Sequence, residues 1–148
     1  MKKFLFLFLL TPFFVKAQFT ITNSSTTSLV ELRNGTWPLD LQKIIKDTDT
    51  CYVLQFRDQQ VTNDVNMATL RFGNLEQLKY FQKGLMALKT GNTGDVANYK
   101  TYTVKRVDVK KEGDMRRGVW YTIVCGDGPV TNFQQADADK MIAAIKPL

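Results

Sequence analysis

The chain of 148 residues contains no histidine and only two cysteines, Cys51 and Cys125. Histidine is the commonest general base, and it is also the usual partner that activates a catalytic cysteine or serine. Zinc sites take about four histidine, cysteine or carboxylate ligands at close spacing. Two cysteines 74 positions apart do not supply such a set. We therefore predict no catalytic residue, no metal site and no cofactor.

The sequence also lacks the short motifs of common nucleotide, hydrolase and metalloprotease sites, since GxGxxG, GxxxxGK[ST], GxSxG and HExxH are all missing. The segment CGDGP, Cys125 to Pro129, resembles part of a calcium or phosphate loop, but no acidic side chain follows closely. It is predicted to be a turn. Asp137 and Asp139 point to different sides of the expected helix, so they are expected to stabilise its N-terminal half rather than share a substrate.

The first 17 residues have the three parts of a secretory signal peptide. Lys2 and Lys3 precede an apolar run from Phe4 to Val15, and small residues stand three and one positions before Gln18. The run is shorter than the roughly 20 residues of a membrane-spanning helix, although an uncleaved anchor remains the alternative. We expect an exported protein that begins at Gln18, is periplasmic, exposed on the outer surface or secreted, and has no stable membrane span.

Export changes the interpretation of charge and of the cysteines. Without Lys2, Lys3 and Lys16, 17 basic residues face 14 acidic ones, so the net charge falls from +6 to +3. Because thiols pair in oxidising compartments, a structural disulfide between Cys51 and Cys125 is predicted. Two free, buried cysteines are the alternative. The bond would place the strand that begins at Cys51 beside the strand that ends at Cys125.

Hydrophobic periodicity predicts strands at 51–58, 66–73, 99–111 and 117–126. The first two strands precede a helix that Asn74 caps, and the other two precede a helix that Thr131 caps. The predicted fold class is α+β, a two-layer sandwich in which an antiparallel sheet of about four strands carries both helices on one face in ββαββα order. The open sheet face would meet solvent or a partner.

The predicted domain organisation has three parts. Residues 1–17 form the signal peptide, residues 18–50 form a partly ordered N-terminal extension, and residues 51–148 form the α+β domain. Within the extension, a short strand near 26–35 is followed by a short helix that begins around Trp37 and Pro38.

Positive charge is concentrated in the predicted hairpin from Lys105 to Arg117, which we call the basic hairpin. It could bind an anion, or it could be a solvated hairpin whose charges prevent strand pairing between molecules. Nucleic acid is a poor candidate, because no aromatic stacking motif accompanies the charge and the chain is expected to be exported. The candidate anion-binding residues are Lys105, Lys110, Lys111, Arg116 and Arg117, beside Arg106.

Tryptophan is enriched at binding hot spots, so Trp37 and Trp120 are candidate contact anchors. Core packing is the alternative for both, and it is the preferred interpretation for Trp120. The sequence therefore favours a non-enzymatic binding or interaction module of a bacterial envelope or secreted fraction, with an unknown protein or an anionic envelope component as its partner. The alternatives are a structural subunit of an extracytoplasmic assembly and a carboxylate-dependent hydrolase.

Overall fold

The computed structural model describes residues 24–33, 38–62, 66–109 and 118–148. Four strands are followed by a helix, and this order then occurs a second time. The first half consists of β1 (Ser24–Arg33), β2 (Leu39–Lys46), β3 (Asp49–Arg57), β4 (Met67–Phe72) and α1 (Leu75–Lys89). The second half consists of β5 (Val96–Asn98), β6 (Thr103–Val109), β7 (Gly118–Val124), β8 (Val130–Gln134) and α2 (Gln135–Ile145).

The strands form two antiparallel sheets rather than the single sheet predicted from the sequence. Their orders are β1-β2-β3-β4 and β5-β6-β7-β8, so within each sheet consecutive strands of the chain pair with each other. The prediction of one four-stranded sheet in ββαββα order is wrong, because each predicted pair of strands gains two further strands. Short connections between consecutive antiparallel strands favour this arrangement.

One hydrophobic core joins the two halves. Tyr52, Leu54 and Phe56 alternate along β3 and are buried, together with Tyr121 and Phe133 of the second sheet. The two helices contact each other, and each helix contacts strands of both sheets. The helices therefore bury their apolar stripes against both sheets at once. The buried helix residues are Leu78, Phe81, Leu85 and Leu88 in α1 and Ala138, Met141 and Ile145 in α2.

Several local predictions are confirmed. The strands at 51–58 and 66–73 correspond to β3 and β4, which pair antiparallel. The helix after Asn74 is present, and the Asn74 Oδ1 accepts a hydrogen bond of 2.9 Å from the Gln77 amide. An oxygen from the N-cap residue stabilises an amide that has no partner within the helix.

Other local predictions are wrong. Residues 39–46 form strand β2 rather than a helix, because Leu39 and Leu41 alternate with polar residues and fit the pleat beside β3. The second helix begins at Gln135, since Thr131 lies within β8 and pairs with Ile123. Its Asp137 accepts a hydrogen bond from the Gln134 amide, which agrees with the expected role at the N-terminal end.

The predicted disulfide between Cys51 and Cys125 is not formed, and both cysteines are free. Cys51 belongs to β3 of the first sheet, whereas Cys125 follows β7 of the second sheet. Strand alternation puts Cys51 on the face opposite Tyr52, away from the core, while Cys125 packs against the core. The two side chains therefore lie on opposite sides of the first sheet, and the predicted pairing of their strands is wrong.

Hydrogen bonds connect the end of β3 with the start of β8. The Gln59 amide donates to the Val130 carbonyl oxygen at 2.8 Å, and the Val130 amide donates to the Asp58 Oδ1 at 3.0 Å. Asp58 is only 5% exposed. This connection fixes one sheet against the other in addition to the shared core.

The predicted signal peptide lies outside the described residues. Within the predicted extension, β1 and β2 are paired with each other and β2 is paired with β3. Neither described helix is long and apolar enough to span a bilayer.

Candidate functional site

Strand alternation gives the second sheet two different faces. On β7, Tyr121 and Ile123 are fully buried in the core, so Trp120 and Thr122 project from the opposite side. On β6, Val104 is fully buried, and Lys105 therefore projects in the same direction as Trp120. We call the surface formed by these outward positions the outer face, which comprises Val96, Lys105, Val107, Trp120, Thr122 and Asn132.

The strand register determines which residues are neighbours on the outer face. Trp120 pairs with Val107 on β6, and Lys105 pairs with Thr122 on β7. Lys105 and Trp120 are therefore diagonal neighbours, a separation that long and aromatic side chains can bridge. An apolar ring and an ammonium group are thus within reach of a single ligand.

The polar part of the outer face is held in place by hydrogen bonds. The Thr122 Oγ1 donates to the Asn132 Oδ1 at 2.6 Å, and the Asn132 Nδ2 donates to the Gln59 Oε1 at 2.6 Å. These bonds connect β7, β8 and the turn after β3. They give this part of the face a fixed shape without the help of a ligand.

Charge on the outer face has one sign. Lys105 is exposed, and no carboxylate stands at the outward positions of the four described strands of this sheet. Asp108 is four residues after Val104 on the same strand, so its side chain projects to the core side of the sheet and not to the outer face. A ligand with negative charge would therefore meet an ammonium group that no outward carboxylate of the described strands neutralises.

Arg106 is adjacent in sequence to Lys105 but has a structural role. Its Nη1 donates to the carbonyl oxygens of Leu88 at 2.9 Å and of Lys89 at 2.7 Å, and its Nε donates to the Asp108 Oδ1 at 2.9 Å. The last carbonyls of a helix have no partner within the helix, and a cation there also interacts favourably with the helix dipole. Arg106 therefore stabilises the C-terminal end of α1 and faces away from Lys105.

Of the residues considered in the sequence analysis as site candidates, the structure describes both cysteines and three others, Lys105, Arg106 and Trp120. Lys105 occupies the middle of the outer face. Lys110, Lys111, Arg116 and Arg117 lie outside the described residues, and so does Trp37. Their predicted roles remain predictions from the sequence.

The surroundings of Cys125 do not favour nucleophilic chemistry. Burial raises the pKa of the Cys125 thiol, and the negative charge of Asp58 raises it further. A thiol must lose its proton to become a good nucleophile or metal ligand. Among the described residues, no group of three or more acidic or cysteine side chains is placed to hold a metal ion.

The segment from Cys125 to Pro129 is a turn, as predicted. The Gly128 amide donates to the Cys125 carbonyl oxygen at 2.9 Å, and the Cys125 amide donates to the Pro129 carbonyl oxygen at 3.1 Å. Gly126 has φ of 59°, a left-handed conformation that glycine adopts without a steric penalty. The glycines therefore serve the turn between β7 and β8.

The exposed side of α1 is a second surface. Tyr80 is 60% exposed and Met86 is 53% exposed. Tyr80, Lys79 and Lys83 line a shallow, open depression there, together with Glu76. This depression contains charges of both signs, so it is less selective for an anion than the outer face.

Core packing is the preferred interpretation of Trp120 from the sequence, but this side chain is half-buried and stands on the side of the sheet away from the core. The sequence pattern indicates this position, because Tyr121 and Ile123 lie on one face of the strand, Trp120 lies on the other, and only one face can meet the core.

Comparison with protein-family models, with curated proteins and with solved structures gives no match for this chain.

Proposed function

We propose that this protein is an exported, non-enzymatic binding module of a bacterial envelope or secreted fraction, and that its outer face binds an anionic component. The observation that carries the proposal is the placement of Trp120 and Lys105 as diagonal neighbours on a sheet face whose described strands carry no outward carboxylate. Tryptophan provides contact area, and lysine provides a positive charge that attracts carboxylate or phosphate groups.

Two further properties agree with an anionic ligand. Without the predicted signal peptide the chain keeps a formal net charge of +3. Strand β6, which carries Lys105, leads in sequence into the rest of the basic hairpin, and strand β7, which carries Trp120, follows it. Positive potential over a surface raises the local concentration of anions and speeds their association. Binding also needs only a surface, whereas catalysis needs a constellation of reactive groups.

The proposal can be tested by equilibrium binding to two anionic probes. Vesicles that contain phosphatidylglycerol present phosphate groups, and polygalacturonate presents carboxylates on a polysaccharide. Phosphatidylcholine vesicles and dextran are the neutral controls. Binding to either anionic probe should weaken as salt rises, because the Debye length falls to about 10 Å at 0.1 M salt.

Matched charge reversals on two surfaces localise the site. Lys105→Glu should weaken binding by about fivefold or more, since one lysine near an anionic surface contributes about 1 kcal/mol. Lys140→Glu makes the same charge change at an exposed position of α2 and should leave binding unchanged. Trp120→Ala should weaken binding with little change in its salt dependence.

The outcomes separate the ligand classes and can refute the proposal. Binding to polygalacturonate alone would identify an acidic glycan, and binding to the anionic vesicles alone would identify a lipid surface. Equal losses in Lys105→Glu and Lys140→Glu would show non-specific attraction by net charge. Binding that neither Lys105→Glu nor Trp120→Ala weakens would contradict a role for the outer face.

A further inference from the structure

Strand β1 is a terminal strand of the first sheet, and no described strand pairs with its outer edge. Among the described residues it pairs only with β2, and it is the terminal strand in the order β1-β2-β3-β4. An edge strand presents a row of backbone amides and carbonyls that can pair with another strand. The open edge of β1 is therefore a potential site for strand addition.

The two ends of β1 differ in how well they are protected. Its register with β2 is interrupted between Ser28 and Val30 and again between Glu31 and Arg33. Such irregularities twist an edge away from regular pairing, and charged residues also discourage it. From Ser24 to Ser28 the register is uninterrupted, and every side chain is exposed.

The stretch from Ser24 to Ser28 also lacks the residues that block pairing. It contains no lysine, no proline and no carboxylate, and two of its five residues are β-branched threonines. By contrast, the opposite edge strand β4 carries the exposed Arg71. Within β1, the unprotected edge is thus confined to the first five residues.

We propose that this stretch is a self-association interface, in which β1 of one copy pairs antiparallel with β1 of a second copy. An antiparallel pair centred on Thr26 sets Ser24 opposite Ser28 and Ser25 opposite Thr27, with Thr26 opposite its own counterpart. Small hydroxyl side chains then face each other across the pair, and pairs of threonine and serine stabilise antiparallel strands. No like charges meet within the five paired positions.

The geometry of this interface favours a second copy and limits the assembly to two. A two-fold antiparallel arrangement uses the same patch on both subunits. Both β1 edges are then paired, so no third copy can add at this interface. The two four-stranded sheets would join into one sheet of eight strands. This inference does not depend on the outer face, which belongs to the second sheet.

Sedimentation velocity from micromolar to millimolar concentration tests the interface with the whole chain, expressed with its own N-terminus so that any processing is retained. The wild-type protein should pass from monomer to dimer as concentration rises. Thr26→Lys and Thr26→Glu should each weaken the dimer by about fivefold or more, because like charges would stand directly opposite each other. An equimolar mixture of the two variants should restore the dimer by pairing opposite charges.

Thr69→Lys is the matched control, because Thr69 is exposed on β4 at the other edge of the same sheet. It should dimerise like the wild-type protein. A wild-type protein that stays monomeric throughout the concentration range would overturn the proposal. A dimer that Thr26→Lys and Thr26→Glu leave intact, or that their mixture does not restore, would also overturn it.

Discussion

Gly84 lies in the middle of α1, where glycine is ordinarily unfavourable. In a free helix, replacement of glycine by alanine stabilises by about 1 kcal/mol. Here an added Cβ would overlap the Tyr99 hydroxyl and would lie 3.0 Å from the Tyr99 Cζ and 3.4 Å from the Ala97 Cβ. The structure therefore predicts that Gly84→Ala is destabilising.

The Tyr99 ring has little freedom to move away. It stacks on Tyr102 with ring centroids 4.2 Å apart, and it meets Tyr80 edge-on at 5.3 Å. Its hydroxyl also donates a long hydrogen bond of 3.4 Å to the Phe81 carbonyl oxygen. Overpacking of this kind costs about 1–3 kcal/mol, so the cost is at least as large as the gain in helix propensity.

Urea unfolding followed by circular dichroism measures the effect. Gly84→Ala should lower the free energy of unfolding by up to about 2 kcal/mol, which is the overpacking cost less the gain of about 1 kcal/mol in helix propensity. Tyr99→Phe removes the overlapping hydroxyl, so Gly84→Ala should cost less in that background. Ala87→Gly, at an exposed position of the same helix, calibrates helix propensity and should cost about 1 kcal/mol. A stabilising effect of Gly84→Ala in the wild-type background would refute the packing of Tyr99 over α1.

Three further predictions concern the thiols, the connection between the sheets and the half-buried Tyr99. The protein should show two free thiols, with Cys125 slower to react with a thiol reagent than Cys51, and dithiothreitol should not change its melting temperature. Asp58→Ala leaves the Val130 amide without its acceptor, so it should lower the urea-derived free energy of unfolding by about 1–3 kcal/mol, and Asp58→Asn should cost less. Burial, and then the proximity of Tyr80, raise the pKa of Tyr99 to about 12. The folded protein favours the protonated phenol of Tyr99, so this contribution to stability is complete below the unfolded pKa of about 10 and is lost as pH rises towards 12. The melting temperature of Tyr99→Phe should therefore fall less than that of the wild-type protein between these pH values.

Local periodicity predicted the elements that carry long, regular patterns. The alternation from Cys51 to Asp58 identified β3, and the spacing of Leu78, Phe81, Leu85 and Leu88 identified α1. Short elements were missed, since β5 has only three residues and β8 runs directly into α2. Without these strands, one sheet was the simplest arrangement.

The residues of the candidate site could be predicted in part. The charge of Lys105 makes it a candidate from the sequence alone, whereas core packing is the preferred interpretation of Trp120, although its neighbours Tyr121 and Ile123 fill the core face. Alternation along β3 also disfavours the disulfide, because Cys51 and the buried Tyr52 are adjacent in sequence and project to opposite faces of the sheet. The disulfide was predicted because cysteines of exported proteins usually pair. The local hydrophobic pattern does not show that the two halves of the chain form separate sheets.

The most direct test of the proposed function is an amide chemical-shift titration of the labelled protein with oligogalacturonate and, separately, with a soluble short-chain phosphatidylglycerol. If the outer face binds the anion, the amides of Lys105, Trp120 and Thr122 should shift together and saturably. Those of Gln55 and Thr69, on the face of the first sheet away from the core, should stay unchanged. Shifts centred on the first sheet or on α1, with the amides of β6 and β7 unchanged, would contradict the account.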